Sequence, residues 1–333
     1  MTLQTCHRAR GNTDGKRGAS RPLVSVIINN FNYAQFLGRA IDSALNQTYA
    51  PIEVIVVDDG STDDSRHVIA QYGCQILPVL KENGGQASAF NSGIASSHGE
   101  IICLLDSDDV FYPDKIAQVV NVFSDTEYAS KSIFVSHGLE LIDYEGAATG
   151  GRVGSESRGP LNLYNYAKRY KFTYSPCGPT TGMSLNRALA RKIFPLPEGL
   201  KVAADDFVRR AASLIGDCYS ISSVLGGYRI HGSNTGYGTA EERTGPPGHF
   251  RALEIYLNKI LVQNNLEPVI SFRDSIYFCA YLVEKGRWGE LPRQVLRSLV
   301  RHPELHTVRF MYLLAVSILQ KSRRGRMGRA QAN

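Results

Sequence analysis

Leu23-Val24-Ser25-Val26-Ile27-Ile28 is a short, nearly all-apolar run, and Ile52-Glu53-Val54-Ile55-Val56-Val57 repeats it after a helix-length interval. Runs of this kind, without strict alternation, suit strands buried on both faces, as parallel strands are. Between them, residues 34–47 place Leu37, Ile41, Ala44 and Leu45 on one helical face. Ser61-Thr62-Asp63-Asp64 then opens a second helix, with a hydroxyl to cap its free amides and carboxylates suited to its dipole. Further along, the pattern predicts a strand over 74–80, a small-residue helix over 86–97, a strand over 100–105 and a helix from Pro113 to about Phe123. Strand, helix, strand at this spacing means parallel pairing through right-handed crossovers. The fold class is therefore α/β, a doubly wound, mostly parallel sheet of Rossmann-like type. Its ligand should lie at the carboxyl ends of the strands.

The whole chain has 333 residues, 43% hydrophobic and 20% charged, which excludes a disordered chain, a collagen and a coiled coil. Against 31 Asp+Glu there are 37 Lys+Arg, a net charge of +6, too mild a basicity to imply nucleic acid as a partner. Residues 1–21 read as a mobile basic tail, 22–235 as the α/β domain, 236–248 as a Gly-, Thr- and Pro-rich linker, 249–320 as a helical C-terminal region and 321–333 as a basic tail. The polar first 21 residues and the six scattered cysteines lead us to expect a cytoplasmic, reducing compartment. Phe310–Leu319 is apolar nearly all round, but as a helix it reaches only ~15 Å and cannot span a bilayer. It can lie in the interface with the following Arg and Lys on anionic headgroups, a peripheral location on the inner face of the cell membrane; packing as core is the alternative.

Acidic groups fall where such a sheet holds its ligand. Asp58-Asp59 follows the second strand, and Asp106-Ser107-Asp108-Asp109 follows the fourth. In extended chain Asp106 and Asp108 project to one face. Two carboxylates there repel unless a cation sits between them. Hard oxygen ligands suit Mg²⁺ or Mn²⁺, whose remaining positions phosphate oxygens can fill. A third pair, Asp205-Asp206, starts a helix that also carries Arg209 and Arg210, although helix N-termini favour Asp in any case. No GxGxxG follows a strand and no GxxxxGK[ST] is present, which argues against a dinucleotide oxidoreductase and a P-loop NTPase.

With these residues in place, the chain resembles the family 2 inverting glycosyltransferases of the GT-A fold. The resemblance rests on Val24–Ile28, Asn30-Phe31-Asn32-Tyr33, Ala40–Thr48, Glu53–Asp63, Glu82-Asn83-Gly84-Gly85, Asn91-Ser92-Gly93 and Gly99–Asp109, and more thinly on Thr181-Gly182-Met183, Asp205-Asp206 and Tyr228–Asn234. It implies that Asn30, Phe31 and Asn32 wall the nucleotide base, that Asp58 hydrogen-bonds it, and that Asn83 and Gly85 lie near base and ribose. Asp106 would hold the ribose or the metal shell, and Asp108 would bind the cation, Mn²⁺ or Mg²⁺, that bridges the diphosphate. His231 matches a histidine that reaches metal or diphosphate, or is structural. Gly182 would let the acceptor and donor sugar approach the backbone, and Arg229 would pair with phosphate or brace the loop. The base is Asp205 or Asp206, according to whether Ala204 or Asp205 stands where the family has Glu; Asp205 is preferred.

The implied activity is inverting transfer of a sugar from a nucleotide-diphosphate sugar, with UDP-sugars favoured, to a hydroxyl of a glycan or lipid-linked acceptor in surface polysaccharide synthesis. A sugar nucleotidyltransferase is one alternative, but the loop Asn29–Tyr33 lacks the glycines and arginine such an enzyme carries there. The other is a non-catalytic nucleotide-sugar-binding module, which would lack the base or the metal pair.

Overall fold

The computed structural model describes residues 21–293 apart from 127, 155–157, 174–177, 199–202, 233–248, 275–277, 279–281, 283–286 and 288. The N-terminal tail up to residue 20, the expected linker, Phe310–Leu319 and the C-terminal tail lie outside the described residues. The described chain forms two compact units, one within Met1–Leu161, Pro176–Ala212 and Gly216–His231, the other within Asn162–Ser175, Ser213–Ile215 and Gly232–Asn333. Of the expected segment 22–235, residues 162–175, 213–215 and 232–235 belong to the second unit.

In the first unit β1 (Val24–Asn30) pairs in parallel with β2 (Ile52–Asp59) on one side and β4 (Ile101–Asp106) on the other, and β2 pairs in parallel with β3 (Leu77–Lys81). The register sets Asn30 opposite Asp58 and Asn29 opposite Asp106, so the polar ends of three strands are level. Beyond β4 the ten-stranded sheet turns mixed: β9 (Met183–Asn186) runs antiparallel to β4 and to β6 (Ile133–Ile142), and β10 (Asp217–Arg229) runs parallel to β6. Short β5 (Val110–Phe111) and β8 (Arg158–Leu161) lie antiparallel to β10, and β7 (Ala148–Val153) antiparallel to β6.

The sheet is covered by helices whose apolar faces follow the sequence pattern. Phe36, Leu37, Ala40, Ile41 and Ala44 of α1 (Ala34–Leu45) are buried. Val24, Val26 and Ile28 of β1 belong to the same core cluster as Leu37, Ile41 and Ile116. The small residues of α3 (Gln86–Ser96) have a steric reason, since a side chain at Gly93 would collide with Ile27. Two local expectations are corrected. The chain over Gly73–Gln75 is a 3-10 turn, helped by Gly73 at φ 53°, so β3 begins at Leu77. At α2 (Ser65–Gln71) Ser61 and Thr62 do not cap; Asp63 accepts the Ser65 amide at 3.0 Å and, through its other oxygen, the Ala34 amide at 2.9 Å. Residues 217–229 form one bulged strand.

The second unit contains α5 (Tyr164–Tyr170) and α8 (His249–Gln263), numbered after α4 (Lys115–Ser124), α6 (Arg187–Ile193) and α7 (Ala204–Ile215) of the chain order. The helical pattern expected over 249–320 is interrupted after Gln263; Asn258 hydrogen-bonds both backbone groups of Ile270, and Phe250 stacks on Phe272 with 5.4 Å between centroids. Among the described residues no helix is long and apolar enough to cross a membrane.

Beneath the strand ends, His137 of β6 is fully buried, and burial, then the charge of nearby Lys115, pushes its imidazole down to about 3. The folded protein therefore holds His137 neutral while the unfolded chain protonates it near 6.5. The sign follows: stability present above pH 6.5 is lost as pH falls toward 3. Urea titrations at fixed pH should show this slope in the wild type and a flatter one in His137→Leu; equal slopes would refute the assignment.

Candidate active site

The level strand ends build the first wall. Asn30 donates to Asp58 Oδ1 and to Ser61 Oγ, both at 3.1 Å. Asp58 is wholly buried; its Oδ2 accepts from Arg66 Nε at 2.9 Å and from the Ser61 amide at 3.3 Å. Asn32 adopts φ 60°, which Asn tolerates better than most residues. Its amide donates to Ser61 Oγ at 2.9 Å, and its Oδ1 accepts from the Thr62 amide at 2.8 Å. These bonds clip the Asn30–Tyr33 loop to the turn after β2 and leave Phe31 at its crown, 44% exposed.

Asp59 organises the loop after β3. It pairs with Lys81 at 2.6 Å and accepts the amides of Gly84 at 3.0 Å and Gly85 at 2.7 Å. Asn83 donates to the Asp59 carbonyl at 2.9 Å. The positive φ of 85° at Gly85 lets the loop turn straight into α3.

The carboxylates of the β4 end form the floor. Asp106 accepts from Asn29 Nδ2 at 2.9 Å, and its own amide donates to Thr181 Oγ1 at 3.2 Å. Asp108 Oδ2 lies 3.0 Å from His231 Nε2. His231 itself is seated against Phe36 and Tyr33, with centroids 5.0 and 5.5 Å away. Asp109 is buried, accepting the Thr181 hydroxyl and, at 2.8 Å, the Arg229 amide. Burial, then the charge of Asp108, pushes the Asp106 carboxyl up to about 7 and Asp109 well above the usual carboxylate range. Burial and the same charges push the Tyr33 phenol up to about 12. Negative charge is thus crowded here beyond what the chain's own groups neutralise. Among the described residues no three His, Cys, Asp or Glu side chains form a ready-made cation cage. Asp106, Asp108 and His231 offer oxygen and nitrogen donors of the kind a divalent ion takes, but they are not grouped as a three-residue cage.

Helix α7 brings the third acidic pair, its first turn preceded by Ala203 at φ 57°. Asp206 is bound by Arg210 Nε at 2.8 Å, with Arg209 at 3.7 Å. Asp205 pairs with Arg209 at 3.1 Å, and its charge is one of those that raise Asp106.

Arg229 and Gly182 take places the sequence left open. Arg229 is buried and donates from Nε to the Asp108 carbonyl at 2.7 Å and from Nη1 to the carbonyls of Asp143 at 2.9 Å and Tyr144 at 2.7 Å. Its guanidinium also lies 5.0 Å over the Phe36 ring. Of the two roles open to it, bracing is the one this geometry fulfils; the guanidinium is aimed at backbone carbonyls, not at a sugar. Gly182 sits in the turn Thr180–Gly182, where a Cβ would come 2.9 Å from the His137 carbonyl, so close packing on β6 already demands glycine. Sequence reasoning gave no role to Thr181, Asp109, Asp59 or Tyr33. Each stands in a quoted motif, but its partner is distant in the chain, so the motif alone did not show what it holds.

Arg229→Met should cost about 2–4 kcal/mol, since it strands carbonyls that the guanidinium satisfies. The readout is the urea midpoint at unchanged m-value. An arginine kept for phosphate would instead lose donor affinity and leave the midpoint unmoved.

Comparison with known proteins agrees with this geometry. The Glycosyl transferase family 2 model matches residues 25–194. A glycosyltransferase of Nostoc sp. is 35% identical over 254 residues, 72% of this chain and 76% of that protein. The chondroitin synthase of Pasteurella multocida is 42% identical over 105 residues, 31% of this chain and 11% of that protein. The crystal structure of S. aureus TarS 1-349 in complex with UDP has a TM-score of 0.53 at 16% identity, covering 93% of this chain and 92% of that one. The same TarS fragment with UDP-GlcNAc has a TM-score of 0.51 at 17% identity, over 88% and 80%. The extent of the family match, the Nostoc relative and the shared sheet together make this chain a member of glycosyl transferase family 2, with the GT-A type of α/β fold.

Proposed function

We propose that this glycosyltransferase moves a sugar, with inversion, from a nucleotide-diphosphate sugar to an acceptor hydroxyl, using Asp205 as its base. The observation that carries this reading is the level placing of Asp58 and Asp106 at the ends of β2 and β4, each held by an asparagine of β1. Asn30, Phe31, Asn32 and Asp58 hold the base of the donor, and the Asp59-bound loop with Asn83 and Gly85 flanks its ribose. TarS is a protein of the same fold crystallised with UDP and UDP-GlcNAc, which supports a uridine nucleotide as the first donor to test.

Asp108, Asp106 and His231 would hold a divalent cation, Mn²⁺ or Mg²⁺. Bound there, the ion neutralises charge that develops on the leaving diphosphate. Asp205 accepts the proton of the acceptor hydroxyl. As it does so, the hydroxyl oxygen bonds to the anomeric carbon from the face opposite the diphosphate. The bond from that carbon to the phosphate oxygen breaks, its electron pair leaves with the nucleoside diphosphate, and configuration inverts. Asp206, tied to Arg210, keeps the helix turn in place. A glycan or lipid-linked acceptor fits this chemistry. The match to a named chondroitin synthase supports polysaccharide synthesis. The anionic membrane surface expected from residues 310–333 is kept as a partner, tested by co-sedimentation with anionic vesicles at low salt.

Turnover is read as acceptor-dependent release of free nucleoside diphosphate; release of inorganic pyrophosphate would mark a nucleotidyltransferase instead. Asp205→Asn should lower kcat by about 10²–10⁴, with Asp206→Asn affected far less, while both still bind nucleotide. Asp108→Ala should abolish the response to Mn²⁺. Undiminished activity in EDTA would overturn the metal assignment, and an Asp205→Asn variant within tenfold of wild type would overturn the base.

A further inference from the structure

Helix α7, which carries Asp205, begins without a cap of its own. The residue in the capping position is Ala203, held at φ 57° with no side chain able to accept a hydrogen bond. The first amides of a helix have no partner within it. Here the amide of Ala204, the residue just before Asp205, donates to Gln86 Oε1 at 3.0 Å. A side chain more than a hundred residues earlier in the chain thus performs the work that Ser, Thr, Asp or Asn does locally in other helices.

The position of Gln86 makes this more than a repair. Gln86 is the first residue of α3 and follows Gly85, whose amide Asp59 holds at 2.7 Å. One peptide unit therefore joins the loop assigned to the donor nucleotide to the atom that fixes the start of the base helix. Further along α3, Asn91 donates to the Leu196 carbonyl at 2.8 Å and accepts the Leu196 amide at 2.6 Å. Helix α3 grips the chain ahead of Asp205 at two points, residue 196 and residue 204.

We propose that Gln86 is a positioning residue: it caps the base helix in place of Ala203 and so fixes Asp205 with respect to the donor-binding strand ends. The proposal rests on Asp205 as the base. Gln86→Met keeps length and removes the acceptor. Gln86→Glu keeps the acceptor and adds a negative charge close to Asp205, which raises the base pKa.

The test uses the full chain, with kcat, donor KM, the pH profile of kcat and melting temperature measured for both variants and for Asp205→Asn. Gln86→Met should lose about ten- to a hundredfold in kcat, because small misplacements of a reacting group are costly, with donor KM held within about twofold. Gln86→Glu should recover most of kcat at its optimum, with the basic-form limb moved to higher pH. If Gln86→Met proves poorly folded, Gln86→Glu alone carries the test through its shifted limb. The proposal is overturned if Gln86→Met keeps kcat, if it loses donor affinity as much as kcat, or if Gln86→Glu is as impaired as Met at every pH or shows no shift of its limb. A fully active Asp205→Asn would overturn the base assignment itself; an inactive Asp205→Asn beside a normal Gln86→Met would overturn only the role of Gln86.

Discussion

Asn29 and Asn30, consecutive at the end of β1, each donate to a carboxylate of a different neighbouring strand: Asn29 to Asp106 of β4 at 2.9 Å, Asn30 to Asp58 of β2 at 3.1 Å. The parallel register makes this possible by placing each amide opposite its acid. These two bonds align the part of the site assigned to the base with the part assigned to the diphosphate. They are made at some cost. The Oδ1 atoms of both asparagines are buried without a hydrogen-bond partner among the described residues. An unmade bond of that kind is unfavourable by about 1–3 kcal/mol. A fold selected only for stability would place an apolar residue at such a position.

The same tension runs through the rest of the floor. Asp106, Asp108 and Asp109 stand within four residues of one another, and their mutual repulsion, added to burial, raises two of them. What keeps them together is neutral scaffolding. Thr181 joins the Asp106 amide to the Asp109 carboxylate, and Asp109 in turn holds the Arg229 amide. Two residues beyond Arg229 the chain delivers His231 to Asp108. The cation among these elements, Arg229, donates to the carbonyls of Asp108, Asp143 and Tyr144 and so braces the loop.

The strands and the acid clusters were legible in the sequence because their signals are local. Val24–Ile28 and Ile101–Leu105 are apolar because both faces are covered, and Asp58, Asp59, Asp106 and Asp108 fall where those runs stop. Interactions between distant segments were not legible. Nothing near Asp63 announces that it, and not Ser61, will take the first amide of α2, because Ser61 is drawn away by Asn30 and Asn32. Gln86 opposite Ala204 and Asn91 opposite Leu196 join segments that only the folded sheet brings together. The packing of Gly182 on β6 is likewise invisible in its neighbours along the chain.

The register of the base shows the limit most sharply. Asp205 and Asp206 are chemically identical, adjacent, and both suited to a helix start. On a helix, neighbours differ by about 100° of rotation, so one can face the strand ends even though each is paired with an arginine of its own helix, Asp205 with Arg209 at 3.1 Å and Asp206 with Arg210 at 2.8 Å. Which does so depends on how α7 is rotated at its first turn. That rotation is set by the conformation of Ala203 and the bond from Ala204 to Gln86, with Arg210 holding Asp206 on its own side. Under the proposal made above, a glutamine in a different helix distinguishes the two identical side chains, and sequence spacing around the pair carries no trace of that bond.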